Sequence, residues 1–272
     1  MNSDEQYTRF QNLDRSSDAA AAGAFLDRAS AQTSINAYKA ESFGLLAPRP
    51  GDSLLEVGCG TGTDVRALAE MVAPGGRVVG VDLSETLLTE ARRRDDVAGA
   101  TIEFRRGDVH QLEFPDGVFD GCRADRIFQH LADPPKALAE LVRVARRGAP
   151  IVISEPDWET VVIDAPDRSL LRRLVAYHAD RTPQGWMGRQ LPHLFRDAGL
   201  TGVAIKPHAV FITDYEVVKE GAALEERARA ACAAKVISPA EEQRWLEHMA
   251  SLRDRGQFWF AMMVFTVRGI KP

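Results

Sequence analysis

The amino-acid sequence predicts an α/β protein, a doubly wound parallel sheet with helices on both faces. Three observations carry that expectation. Short runs rich in Val, Ile and Leu ("SLLEV", "RVVGVD", "APIVISEP") alternate with helix-like stretches ("TDVRALAEMV", "SETLLTEARRR", "PPKALAELVRVARR"). Such a rhythm calls for parallel strands joined by right-handed crossovers. The strand-like runs are apolar nearly throughout, as strands covered on both faces are. Finally, Gly58, Gly60 and Gly62 crowd into five positions directly behind the first run, where the backbone must turn sharply or admit something close.

Taken in order, helix is predicted over Ala19–Arg28 and over Ile35–Leu46, stopped by "APRPGD". "SLLEVG" reads as a buried strand and "TDVRALAEMV" as a helix ended by "APGG". Strand "RVVGVD" and helix "SETLLTEARRR" follow, then strand "TIEFRRGD", loop "VHQLEFPDGV" and strand "FDGCRAD". Helix "PPKALAELVRVARR" and strand "APIVISEP" complete this part. Beyond "EPDW" come a helix over Asp167 to Asp180 and, in "TPQGWMGRQLPHLFRDAGL", a loop with a second helix. "TGVAIKPHAVFIT" and "QFWFAMMVFTVRG" read as two late strands around a helical segment from Tyr215 to Arg255. The strands flanking that segment need each other, so residues 1–272 form one domain. Its parts are an N-terminal helical lid (1–46), a core (51–157), a cap and helix (158–200), and late strands with a helical insertion (201–272, insertion 215–255).

The 272 residues are 45% hydrophobic and 27% charged, with net charge −5. That is an ordinary globular composition. No Lys/Arg block stands out, so neither a nucleic-acid nor an anionic-membrane partner is expected. Cys59, Cys122 and Cys232 lie far apart, with no metal-ligand spacing and no paired framework. "MNSDEQYTRFQNLD" has no basic start and no apolar core, and no apolar stretch approaches the ~20 residues of a membrane span. The expectation is a cytoplasmic protein, with the long helical segment as a candidate homodimer surface.

A strand ending in Glu56-Val57 and turning through Gly58-Cys59-Gly60-Thr61-Gly62 into a helix is the first βα turn of a doubly wound sheet. Bare glycine backbone lets a ligand approach, and the helix start presents free N–H groups. Alone, G-x-G-x-G also describes a tight turn without a ligand. Asp82, at the end of "VGVD" and about 20 residues beyond the glycines, has the position and chemistry to take both hydroxyls of a ribose; capping the next helix is the alternative, a task Ser84 can perform. Asp108, beside Gly107 and before apolar Val109, suits an exocyclic adenine amine with Val109 flanking the ring.

"LLEVGCGTGTDV", "VVGVDLS", "RRGDVHQLEFPDGVFD" and "RADRIFQHLADPPKALAELVRVARRGAPIVISEPD" together resemble the class I S-adenosylmethionine-dependent methyltransferases, in their ubiquinone/menaquinone-biosynthesis-like branch. The resemblance covers roughly residues 53–157. It implies a Rossmann-like seven-stranded sheet whose last strand enters antiparallel, S-adenosyl-L-methionine as cofactor, and a small-molecule acceptor such as a specialised metabolite. It further implies that Glu56 and the loop of Gly58, Cys59, Gly60 and Gly62 serve the methionine part, Asp82 and Leu83 the ribose and adenine, and Gly107, Asp108 and Val109 the adenine. Ala124 to Arg126 would sit beside the amino-acid end. Many relatives carry a small or apolar residue at 126, so Arg126 is a candidate partner for the cofactor's carboxylate or for an acidic acceptor. Arg123, on the strand, could do the same or face a helix.

Methyl transfer from a sulfonium is an in-line displacement, so holding the acceptor atom ~3–3.5 Å from the methyl carbon supplies much of the acceleration. Candidate base or orienting residues are His130 and Gln129 past the fourth strand, and His178 in the cap; backbone hydrogen bonding or simple packing is the alternative for each. Tyr7, Phe10, Trp158, Tyr177 and Trp186 are candidate pocket aromatics. No histidine pair has i, i+4 spacing beside an acid, so no metal centre is expected. Two rival readings stay open: an NAD(P)-dependent oxidoreductase, for which Tyr215-x-x-x-Lys219 has the right spacing, and a non-catalytic S-adenosylmethionine-binding protein.

Overall fold

In the computed structural model, which describes residues 19–94 and 97–272, seven strands form one sheet: β1 (Ser53–Val57), β2 (Arg77–Asp82), β3 (Thr101–Arg106), β4 (Gly121–Asp125), β5 (Pro150–Ile163), β6 (Thr201–Ile212) and β7 (Phe260–Ile270). Their order is β3-β2-β1-β4-β5-β7-β6. The first five are mutually parallel, while β7 runs antiparallel to both neighbours, β5 and β6. The order reverses at β1, and Val57 pairs with both Val81 and Ala124, so β1, β2 and β4 end together at one carboxyl edge. A crevice at that switch point is where such sheets take ligands.

Among the described residues ten α-helices surround the sheet: α1 (Ala19–Ser30), α2 (Thr33–Leu46), α3 (Thr63–Val72), α4 (Glu85–Arg93), α5 (Pro134–Val144), α6 (Arg168–Arg181), α7 (Met187–Asp197), α8 (Tyr215–Gly221), α9 (Leu224–Ala233) and α10 (Pro239–Asp254). Several of their starts follow capping chemistry. Ser84 accepts the Leu87 N–H at the head of α4, Asp133 accepts the Lys136 N–H ahead of Pro134 in α5, and Ser238 and Glu241 form a reciprocal capping box on α10. One apolar layer packs α5 and α7 on the sheet around Phe119, Leu138 and Phe195, and another packs α3 around Leu68 and Val72. A third gathers helices α6 and α8 to α10 over the far ends of β5, β6 and β7, around Trp158, Trp245 and Phe260.

Two elements differ from the sequence expectation. β5 does not stop at Pro156 but continues to Ile163, because "WETVVI" returns to β7 after a register shift between Asp157 and Val162. The segment from 215 to 255 is three separate helices. No helix among the described residues is long and apolar enough to cross a membrane.

Candidate functional site

A cavity of about 590 Å³ opens at the carboxyl edge of the sheet, between the strand ends and the helices α1, α2, α8 and α9. Gly58 and Gly60 form part of its floor. Gly58 has φ +67°, and a Cβ there would lie 2.1 Å from Ile127 Cγ2, so both conformation and space require glycine. A Cβ on Gly60 would lie 3.2 Å from Leu26 Cδ1, another cavity-lining atom; bare backbone keeps the floor open. Gly62 starts α3 with φ +78°, and its Cβ would strike the Phe104 ring at 2.6 Å. Its task is packing.

The ends of β2 and β3 form the next wall. Asp82 accepts the Gly60 N–H at 2.8 Å and the Ser84 N–H at 2.9 Å, which ties the strand end to the glycine loop. Leu83, 45% exposed, and Val109 line the cavity on either side of Gly107 and Asp108. Asp108 takes the backbone N–H of His110 at 2.9 Å and faces the His110 Nδ1 at 2.7 Å. Burial acts upward on the Asp108 carboxyl, but its His110 partners outweigh it and hold the pKa below the usual value.

β4 supplies a polar junction. Asp125 and Arg126 line the cavity. Tyr38 O–H donates to Asp125 Oδ1 at 3.0 Å, Lys39 lies 3.6 Å from Asp125 Oδ2, and Arg126 Nε lies 3.3 Å from it. Arg126 has φ +57°, a left-handed conformation that a side chain adopts at a cost of roughly 1–3 kcal/mol, held by its N–H bond to the Ser154 carbonyl at 2.8 Å.

Arg123, on the same face of β4 as Asp125 but two residues earlier, does not line the cavity. It is fully buried, donating to Glu56, to Asp64 at 3.0 Å and to Ser42 Oγ at 2.9 Å, with its guanidinium 4.6 Å from the Phe43 ring centroid. Glu56 and Arg123 are register partners on adjacent strands, which puts both side chains on one face of the sheet. Glu56 therefore stands behind the cavity. Burial pushes its carboxyl up to about 8 despite the Arg123 contact. Asp64 feels the same burial, but Arg123 and Lys39 outweigh it and hold it at about 2.

Past β4, a short 3₁₀ turn (Phe128–His130) brings Gln129 and His130 to the cavity. Buried Glu155 accepts the N–H groups of Phe128 and Gln129 and fixes this turn; burial raises its pKa to about 8. Gln129 Oε1 accepts the Trp158 indole N–H at 2.7 Å, and its Nε2 donates to the Arg126 carbonyl at 3.2 Å. Trp158 forms a cavity wall, backed by His178 with ring centroids 4.2 Å apart. Arg227 of α9 also lines the cavity, its guanidinium 5.5 Å from the Trp158 ring centroid. His130 has its pKa lowered to about 4, first by burial and then by the positive charges of Arg227 and Arg126. It is neutral at physiological pH. The rest of the cavity is apolar: Phe25 and Ala29 from α1, Val217 and Val218 from α8, and Met262 and Val264 from β7.

Of the residues singled out from sequence, Gly58, Gly60, Asp82, Leu83, Gly107, Asp108, Val109, Arg126, Gln129 and His130 meet at this cavity. Glu56, Cys59, Gly62, Ala124 and His178 do not line it. Cys59 and Ala124 are buried under the turn and in β4, and His178 is buried with its ring against that of Trp158. Trp158 is a wall, whereas Tyr177 and Trp186 lie off the cavity; Tyr7 and Phe10 fall outside the described residues. Tyr215 donates to Glu225 at 3.0 Å and packs edge-on against Phe258, away from the cavity, so its spacing with Lys219 marks a packing contact. Sequence reasoning missed Tyr38, Glu155 and Arg227, and held Asp125 only as part of the span Ala124 to Arg126. The three missed residues come from segments distant from the glycine turn, and Glu155 carried no spacing signal. Among the described residues no group of three or more His, Cys, Asp or Glu is placed to hold a metal ion.

Residues 55–153 match the family described as Methyltransferase domain. An uncharacterised 37.1 kDa protein in transposon TN4556 of Streptomyces fradiae is 37% identical over 244 residues, covering 89% of this chain and 69% of that protein. The demethylmenaquinone methyltransferase of Symbiobacterium thermophilum is 40% identical over 111 residues, 39% of this chain and 43% of its own length. This chain thus spans less than half of that relative. The YcgJ protein from Bacillus subtilis has the same fold, with TM-score 0.59 at 18% identity over 85% of this chain and 98% of that one.

Proposed function

Since the chain belongs to the class I S-adenosylmethionine-dependent methyltransferase family, in its quinone-biosynthesis-like branch, we propose that it transfers the methyl group of S-adenosyl-L-methionine to a small-molecule acceptor held in the apolar half of the cavity. The observation that carries this reading is one continuous cavity whose floor is bare glycine backbone flanked by Asp82 and Asp108, and whose far half is apolar.

In this reading Asp82 accepts from the ribose hydroxyls, already oriented by two backbone N–H groups. Leu83 and Val109 flank the adenine, and Asp108 accepts from its exocyclic amine. Gly58 and Gly60 admit the methionine part, and Arg126 meets its carboxylate. Glu56 and Ala124 support the floor from behind. Once bound, the sulfonium supplies an electrophilic methyl carbon. The protein then contributes position and dryness: α1 and α8 cover the cavity, and Trp158, fixed by Gln129, sets one wall against which an acceptor lies. His130, neutral, is available to orient or accept from the acceptor's reacting group.

Isothermal calorimetry and heat-unfolding midpoints with S-adenosylhomocysteine and with NADPH test the reading. Saturable binding of the former with a raised midpoint is expected, because a ligand that binds the native state alone stabilises it. Stabilisation by NADPH and not by S-adenosylhomocysteine overturns it.

A further inference from the structure

Lys39 of α2 is buried and does not line the cavity, yet its ammonium ties together segments that surround it. Nζ donates to Asp64 Oδ1 at 2.9 Å, in the first turn of α3 directly behind Gly62, and to Ser30 Oγ at 3.3 Å, at the end of α1. It also lies 3.6 Å from Asp125 Oδ2 at the end of β4. Asp64 has a second cation, since Arg123 donates to its other oxygen at 3.0 Å. Asp125 divides its charge among the Tyr38 hydroxyl at 3.0 Å, Lys39 and, at 3.3 Å, Arg126 Nε. Of these side chains Arg126 is the accessible one, 23% exposed against 5% for Asp125 and 8% for Lys39. Its neighbour Ile127 packs against Gly58, which sets Arg126 beside the glycine turn. A ligand carboxylate that approaches Arg126 therefore arrives beside a second, fixed carboxylate. Like charges at such range repel, and in a site largely withdrawn from water the repulsion is little screened. Lys39 acts against it by offsetting the charge of Asp125 from the α2 side. Without Lys39, Asp125 would rest on Arg126 alone of the two cations and draw that guanidinium away from an incoming anion.

Resting on the methyltransferase reading above, we propose that Lys39 is a positioning residue for the amino-acid end of the cofactor: with Tyr38 it holds and neutralises Asp125, which leaves the Arg126 guanidinium to the carboxylate of S-adenosyl-L-methionine. Lys39 acts through Asp125 and touches no cofactor. A helix outside the glycine and acid motifs thereby sets how strongly the site prefers a cofactor that carries its carboxylate over one that lacks it.

The test titrates the full chain by calorimetry with S-adenosylhomocysteine and with its decarboxylated form, which differs by the carboxylate alone. The wild type should prefer the former at least about tenfold, the size of one charge-assisted hydrogen bond, and Arg126→Met should abolish the preference. Lys39→Met should reduce it to about threefold or less, the whole loss falling on S-adenosylhomocysteine while the decarboxylated form binds as before. Lys39→Arg, which keeps the charge, should retain the wild-type preference within about threefold. Equal binding of the two ligands by the wild type overturns the proposal, as does a full preference in Lys39→Met or in Arg126→Met. Lys39→Met weakening both ligands alike overturns it too, since that is the mark of a packing role, and so does Lys39→Arg losing as much as Lys39→Met. If heat unfolding shows Lys39→Met not to fold, Tyr38→Phe carries the test, with a preference reduced about two- to threefold expected and an unchanged one overturning. Should the decarboxylated form bind the wild type below detection, S-adenosylhomocysteine affinity alone decides, about tenfold weaker in Lys39→Met and restored in Lys39→Arg. Failure of the wild type to bind S-adenosylhomocysteine counts instead against the methyltransferase reading.

Discussion

Replacing Gly58 by Ala perturbs the floor of the cavity in two separable ways. The residue has φ +67°, which costs a side-chain-bearing residue about 1–2 kcal/mol. The added Cβ would also stand 2.1 Å from Ile127 Cγ2 and 3.2 Å from Ile127 Cβ. Ile127 is β-branched and stiff at χ1, so relief requires moving backbone, an overpacking cost of about 1–3 kcal/mol. Together these give about 2–5 kcal/mol, which lowers the unfolding midpoint of a chain of this size by roughly 4–9 °C. The displaced loop also carries Gly60, whose N–H is bound to Asp82, so S-adenosylhomocysteine affinity should fall as well. Differential scanning calorimetry and titration calorimetry read both effects. In an Ile127→Ala background the 2.1 Å clash disappears and only the 3.2 Å approach to the residue 127 Cβ remains, so Gly58→Ala should cost less, close to the conformational part of about 1–2 kcal/mol. An unchanged midpoint and affinity in Gly58→Ala, or the same penalty in both backgrounds, refutes the reasoning.

Three further outcomes are expected. Asp82→Ala removes a carboxylate proposed to hold two hydroxyls, so titration calorimetry should show S-adenosylhomocysteine bound roughly a hundredfold more weakly; wild-type affinity rejects that role. Arg123→Met leaves Glu56 and Asp64 buried without their guanidinium and should cost about 3–5 kcal/mol in urea unfolding, partly restored by adding Glu56→Gln. An undiminished stability would mean the buried ion cluster is dispensable. The third outcome concerns pH. His130 takes its proton near 6.5 unfolded and at about 4 folded, so the folded state binds fewer protons in that window and its stability falls as pH drops from about 6.5 to 4. Glu155 has the opposite sign: raised from 4.5 to about 8, its contribution is complete below 4.5 and is lost as pH rises through 8. His130→Asn should flatten the acid side of the stability profile and Glu155→Gln the neutral-to-alkaline side. Slopes identical to wild type in both variants contradict these assignments.

Much of the sheet was legible because, apart from the loop between β3 and β4, strand and helix alternate between Ser53 and Pro156, and the starts of α4 and α5 carry their own caps. The antiparallel last strand came from the family resemblance. The continuation of β5 through "WETVVI" was not legible, since its pairing with β7 joins residues about a hundred positions apart. In the site, the glycine turn and the acids at strand ends announced themselves by position. Glu56 did not betray its direction. Only the register that sets it opposite Arg123 shows that it faces a buried cation and not the cavity. Arg126 hides its left-handed backbone, a conformation sequence reading reserves for glycine or asparagine. Arg227 sits among alanines and glutamates in "LEERARAACA", where an arginine ordinarily reads as a solvated helix face.

The placement of β7 between β5 and β6 bears on how the molecule comes into being. A nascent chain on the ribosome can pair β1 to β5 early, since each neighbour follows within a few dozen residues. It cannot seat β6, which touches the rest of the sheet only through the strand made after it. Until residues 260–270 emerge, the two strands that will flank β7 each present an unpaired edge, and Val210, Val264 and the α8–α10 layer lack a common floor. Completion of the cavity is therefore tied to the final strand, so that a prematurely terminated product would retain the glycine turn yet lack the wall made by Phe260, Met262 and Val264.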